Sequence, residues 1–226
     1  MTTTQSSIEI VVAGMIVQLL AAKALYWPDA GMLCIADAHF GKAAAFRALG
    51  QPVPGGTTAA NLARIDAMIA AHNVTTVVFL GDLFHAKKSL TETVVGPMTK
   101  WRERHQALEC VLVRGNHDRR AGLLPAALAI ETVAEPYCVG PFALCHEQLE
   151  HPTHHAIAGH IHPVFELRGN AHQRVRLPCF VTNMRTTLLP AFGDFTGGHA
   201  SAPAAGDRLY VANGSHIWQV RRYSVN

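Results

Sequence analysis

Five short motifs in this chain carry side chains able to bind a divalent cation: Asp37-x-His39, Gly81-Asp82, Asn116-His117-Asp118, His146, and His160-x-His162. Each directly follows an apolar run. In the first, Leu33, Cys34, Ile35 and Ala36 give way to a carboxylate and an imidazole two residues apart. On an extended chain that spacing lets both point the same way. Taken singly, each motif also suits a strand entering a polar loop. Together they offer carboxylate, amide and imidazole donors at successive strand ends. Such a set suits manganese, iron or zinc better than magnesium alone or copper. Gly81, Gly115 and Gly159 stand immediately before candidate ligands, where a strand must turn sharply and the backbone must come close to the site.

Side chains this far apart in sequence meet only if their strands end together. Apolar, often β-branched stretches at 32–36, 76–80, 109–113, 142–145, 156–158, 175–181, 209–212 and 217–220 predict strands. The segment 57–73, TTAANLARIDAMIAAHN, places Leu62, Ile65, Met68 and Ile69 on one helical face. Thr57 or Thr58 is the expected N-cap and Asn73 the expected stop. A second helix is expected over 91–106. Pro28-Asp29-Ala30-Gly31 reads as a hairpin turn joining the first two strands, and IVVAGMIVQLL near the N-terminus as a strand. GGHASAPAAGD reads as a surface loop. Strand and helix alternate in the first half and strands dominate the second. This predicts one α/β layered domain over 1–226, with its chemistry in loops at the strand ends.

Composition bounds the function. The chain has 226 residues, 49% of them apolar and 15% charged, which describes a compact globular protein and excludes a disordered one. The net charge of +3 permits a polyanionic partner without demanding one. Five cysteines (Cys34, Cys110, Cys138, Cys145 and Cys179) form no CxxC pair, and three lie in apolar runs. That speaks against a disulfide scaffold or cysteine-ligated zinc and for a reducing cytoplasm. The leading MTTTQSSIE has no positive charge, and the apolar run behind it is too short to span a bilayer, so neither export nor a membrane is expected. Fourteen histidines, spread along the chain, are the compositional outlier.

The ordered set D-x-H, GD, GNHD, H and GHxH resembles the calcineurin-like metallophosphoesterase superfamily. The flanking stretches ALYWPDAGMLCIADAHFGKAAAFRALGQPVPGGTTAANLARID and LPCFVTNMRTTLLPAFGDFTGG are similar to its ligase-associated DNA damage response endonucleases, the PdeM-like branch. Ala38 departs from that pattern, where Leu is expected between the Asp and the His. The resemblance implies a layered metallophosphoesterase fold, mixed β-sheets flanked by helices, with two metals at the strand ends. By the same resemblance Asp37, His39, Asp82 and His162 hold one metal, and Asp82, Asn116, His146 and His160 the other, with Asp82 bridging. Two such cations clamp both oxygens of an in-line displacement and make hydroxide available near neutral pH. His117 is then the phosphate contact and proton donor, and Asp118 is expected to orient its ring.

The implied activity is a manganese-dependent phosphodiesterase or DNA endonuclease in bacterial DNA repair, associated with a DNA ligase and a helicase. The alternative is the same chemistry on a small nucleotide or other phosphoester. A protein-binding scaffold of this fold typically loses ligands or the GNH histidine, and here every one is present. A purely structural metal site favours cysteine and closure. Lys42, Arg47, His85, Lys87, Lys88, Arg114, Arg119 and Arg120 lie near the ligand loops and form a candidate cationic rim for a phosphodiester backbone. His72, His105, His151, His154, His155, His172, His199 and His216 match no motif and read as surface or structural.

Overall fold

The computed structural model describes residues 5–168, 173–200 and 204–220, so that His172 and part of the C-terminal loop lie outside it. Seven strands form one sheet in chain order: β1 (Ser7–Val12), β2 (Met15–Leu20), β3 (Ala24–Trp27), β4 (Met32–Ala36), β5 (Thr76–Leu80), β6 (Glu109–Val113) and β7 (Glu131–Val133). The first four are antiparallel neighbours, and β4 to β7 run parallel. Helices α1 (Lys42–Ala48) and α2 (Thr57–Ala71) connect β4 to β5, α3 (Glu92–Arg104) connects β5 to β6, and α4 (Asn116–Ala121) follows β6. The second sheet contains β8 (Tyr137–Val139), β9 (Phe142–Cys145), β10 (His155–Ala158), β11 (Pro163–Arg168), β12 (Arg174–Thr182), β13 (Thr186–Leu188), β14 (His199–Ala200), β15 (Arg208–Ala212) and β16 (Ile217–Gln219). Its order is β14-β11-β12-β13-β10-β9-β8, with β15 between β12 and β16.

The central strands are apolar throughout because both of their faces are covered. Cys34, Ala36, Val78, Leu80, Val111 and Val113 pack against Phe142, Leu144, Ile157 and Phe180 of the second sheet. The alternate residues Leu33, Ile35, Val77, Phe79 and Leu112 pack against Leu62, Ile65, Met68, Met98 and Trp101 of α2 and α3. Each fully buried Ile or Phe of this kind contributes about 1.5–3 kcal/mol. The result is helices on one sheet and that sheet on the other, the layered metallophosphoesterase fold.

Register then decides where the loops emerge. Ala36 pairs with Leu80, and Leu80 with Val113, so β4, β5 and β6 end on one line. In the second sheet Cys145 pairs with Ala158, which aligns the ends of β9 and β10. The two ends are stitched together by the segment after β13: Phe192 donates its N–H to the Ala36 carbonyl, Gly193 to Asp37 and Leu189 to Ala158.

Several local expectations need correction. The N-terminal run is a hairpin, not one strand: Ala13 and Gly14 take positive φ (49° and 80°), and Val12 pairs with Met15. A single Gly inside an apolar run masks that turn. Pro28–Ala30 is a 3-10 turn joining β3 to β4, not the first two strands. α2 is capped by Gly56, without a threonine side-chain bond, and Thr58 is buried within it; the helix stops at His72 rather than Asn73. α3 begins after Thr91 and ends two residues before the expected 106. Among the described residues, no helix is long and apolar enough to cross a membrane.

Candidate metal centre

Each candidate ligand leaves a strand through an abrupt turn. Asp37, His39, Asp82, His160 and His162 all have positive φ, between 44° and 68°. An L-residue in that region costs roughly 1–2 kcal/mol, and such conformations persist where surrounding structure imposes them, commonly at functional sites. The preceding glycines are required for space as well. A Cβ on Gly81 would run into the His146 ring, one on Gly115 into the Asp82 carboxylate, and one on Gly159 into that of Asp37.

The structure brings all seven candidate ligands to this one edge, in two groups. Ligand atoms of Asp37, His39 and His162 lie within 4.8 Å of one another, and so do those of Asp82, His146 and His160. Asp82 stands between the groups, Oδ2 3.8 Å from His39 Nε2 and Oδ1 3.5 Å from His146 Nε2. Asn116 Oδ1 is 2.9 Å and His160 Nδ1 3.0 Å from that same His146 nitrogen. His162 Nε2 is 3.2 Å from Asp37 Oδ1. Asp37, Asp82, His39 and His146 are buried, whereas His160 is exposed.

The donor atoms fit cations. His146 Nδ1 is 3.1 Å from the Leu80 carbonyl, an acceptor, so that nitrogen carries the hydrogen. Nε2 is left with a lone pair among Asn116 Oδ1, His160 Nδ1 and Asp82 Oδ1. Among the described residues, Asp37 Oδ1, both ring nitrogens of His39 and His162 Nε2 are buried without a hydrogen-bond partner. Buried polar atoms ordinarily have partners, and orphaned donor atoms gathered at one point call for an ion. Burial first, then the positive charge of Lys42 and the neighbouring imidazoles, pushes the His39 pKa down to about 2, so its ring stays neutral, as a ligand must be. Burial raises the Asp82 pKa, a cost that a bound cation reverses.

The turns are clamped from behind. Asp37 Oδ2 accepts the His160 N–H (2.8 Å), and Asp82 Oδ1 accepts the His117 N–H (2.9 Å). His117 and Asp118 part company here. The His117 ring donates from Nδ1 to the His85 carbonyl at 2.6 Å, which points Nε2 toward Asp82 Oδ2 at 4.0 Å. Asp118 does not orient that ring. Its carboxylate accepts the N–H groups of Leu83 (3.0 Å), Phe84 (3.4 Å) and Gly115 (3.0 Å), tying the Asp82 turn to the Asn116 turn.

One participant was expected only in the cationic rim, and another not at all. His85 stacks on His117 (centroids 5.5 Å apart, planes at 21°), and its ring belongs to an imidazole cluster with His39 and His117. The signal was its place three residues after Asp82. Glu135 accepts the N–H groups of His146 (2.8 Å) and Glu147 (3.0 Å), and nothing in its sequence neighbourhood marks it. The expected rim is thinner than its charges suggest. Arg47 bonds the carbonyls of Val53 and Pro54, and Arg119 pairs with Glu135 and Glu147. Lys42 stands beside the site with Thr196 O 3.2 Å from Nζ; burial lowers its pKa, and the Asp37 and Asp82 carboxylates partly oppose that. The Lys88 side chain lies outside the described set. Of the remaining histidines, His105 pairs with Asp66 (2.7 Å) and His155 is buried against Thr187.

Comparison with known proteins agrees with this geometry. The sequence profile of the family described as Calcineurin-like phosphoesterase matches residues 32–170, which carry all nine predicted site residues. The crystal structure of Pseudomonas putida nuclease MPE superposes with a TM-score of 0.84 at 44% identity, covering 95% of this chain and 100% of that one. A conserved uncharacterized protein from Streptococcus pneumoniae TIGR4 aligns over 80% of this chain and 82% of that one at 12% identity, with a TM-score of 0.34, too low to argue from. No curated protein sequence matches. Fold, strand-end chemistry and sequence profile converge, and the chain belongs to the calcineurin-like phosphoesterase family of hydrolytic enzymes.

Proposed function

We propose that this phosphoesterase is a manganese-dependent nuclease, a DNA endonuclease in which Asp37, His39, Asp82 and His162 hold one cation and Asp82, Asn116, His146 and His160 the other. The observation that carries the reading is the convergence of these seven side chains, with orphaned buried donor atoms, on one strand edge. The match to the Pseudomonas putida nuclease over nearly the whole chain supports a nucleic-acid substrate. The sulfur-free donor set supports manganese, with iron or zinc as the other candidates. When bound, the metals supply a nucleophile at neutral pH and charge neutralisation at the phosphate.

The chain's own residues do the rest. Asp82 spans the two groups and holds them in fixed relation. His117, held by the His85 carbonyl through Nδ1, presents Nε2 to the reacting phosphate; protonated, it gives that proton to the leaving oxygen. Lys42 adds positive charge on the same side. His160 is exposed and His117 half-buried, which leaves the edge accessible to a polymer. The resemblance to ligase-associated endonucleases extends the proposal to cytoplasmic DNA repair beside a DNA ligase and a helicase. The test is hydrolysis of plasmid DNA, an activated phosphodiester and a phosphomonoester across manganese, magnesium, zinc, iron and calcium. Cleavage of DNA and the diester with manganese supports the proposal. Activity on the monoester alone would replace it with the small-phosphoester reading.

A further inference from the structure

A second group of metal-binding side chains lies away from the strand edge, and its donors differ in kind. Cys138 on β8 is exposed, whereas Cys34, Cys110, Cys145 and Cys179 are buried. His151 and His154, in the loop between β9 and β10, come up beside it, and ligand atoms of the three lie within 4.8 Å of one another. We propose that Cys138, His151 and His154 form a separate site for a thiophilic divalent cation, zinc, which ties β8 to the loop that follows His146.

The spacing of the imidazoles carries the argument. Their Nδ1 atoms are 3.2 Å apart, with the rings at 82°. Two nitrogens each bound to zinc at roughly 2.0–2.1 Å and the tetrahedral angle stand about 3.3 Å apart. His151 Nδ1 accepts the His154 N–H at 3.1 Å, so it is the bare, lone-pair nitrogen. A hydrogen or a cation between it and the facing Nδ1 relieves the contact of the two nitrogens, and His154 Nδ1 also lies 2.9 Å from the Thr153 hydroxyl. Without metal, hydrogens on His154 and on the Thr153 hydroxyl serve these nitrogens; a cation replaces them. The loop is held in place independently: Arg185 donates to the His151 carbonyl (3.2 Å) and pairs with Glu150 (3.2 Å). One thiolate with two imidazoles is the softer donor set in this chain, suited to zinc over manganese, with a fourth position for water. Spacing along the chain does not suggest this site, since Cys138 lies on β8 and both histidines in the loop beyond β9; the fold brings residues 138 and 151 together.

The test uses the full chain, stripped with chelator and titrated with cobalt as the spectroscopic probe. The strand-edge ligands contain no sulfur, so a thiolate-to-cobalt charge-transfer band in the near ultraviolet reports Cys138 alone. Wild type is expected to show that band, and Cys138→Ser to lose it while keeping phosphodiester hydrolysis and the other bound ions. Zinc is also expected to slow alkylation of Cys138 in the folded protein by about 10-fold or more, as metal withdraws the thiolate. His154→Gln should abolish that protection. A band that survives in Cys138→Ser, or a wild type with neither band nor protection, would overturn the proposal.

Discussion

At the scale of single residues the site separates atoms that meet substrate from atoms that hold the loops. His117 is expected to be the proton donor, so His117→Ala should retain both metals while kcat falls by about 10²–10⁴. The loss should be smaller with a good leaving group, because an activated aryl oxide needs little protonation. Asp82→Ala should instead lose metal from both groups, since its two oxygens face both. Metal content and rates on an activated and an unactivated diester distinguish these outcomes; metal loss in His117→Ala would make that residue structural. Asp118 belongs with the holding atoms. Asp118→Ala strands three backbone N–H groups beneath the site, and should destabilise the fold by about 2–4 kcal/mol, read from the denaturation midpoint. All seven candidate ligands were legible from residue type and order. The partner of Asp118 was not, because a carboxylate next to a histidine gives no hint that it faces the other way, into the Leu83 turn.

Elements explain why the ligands meet at all. Three parallel strands in register and two more in the opposing sheet end together, and all but β9 then pass through a glycine or a positive-φ residue. Gly81 is the sharpest case, with φ of 73° and the His146 ring against it. Gly81→Ala should leave the protein folded but displace His146, lowering kcat/KM by about 10² or more, as a misplacement near 1 Å does; wild-type rates would show the backbone has room to spare. The central strands were readable because covered faces demand unbroken apolar runs. The edges were not. β7, β8, β13 and β14 are two or three residues long, too short for alternation to register, and the Ala13-Gly14 turn hides within an apolar stretch. α4 was missed because its six residues, Asn116–Ala121, look like loop chemistry.

For the whole molecule, the buried imidazoles tie stability to pH. The folded pKa of His39 is about 2 against 6.5 for the free side chain, and burial also lowers those of His85 and His155. The unfolded chain therefore binds protons that the folded chain refuses, and stability is lost as pH falls below about 6.5. In chelator, His39 alone should contribute a slope of up to about 1.4 kcal/mol per pH unit. Urea midpoints between pH 7.5 and 5.5 check this, and a flat profile would mean the rings are charged or solvated. The decisive question is whether the strand edge binds two metals. Anomalous diffraction at the manganese absorption edge, from crystals of manganese-loaded protein, answers it. Two peaks are expected, one against Asp37, His39 and His162, the other against Asn116, His146 and His160, with Asp82 touching both. A single peak, or peaks remote from these seven side chains, would contradict the dinuclear assignment.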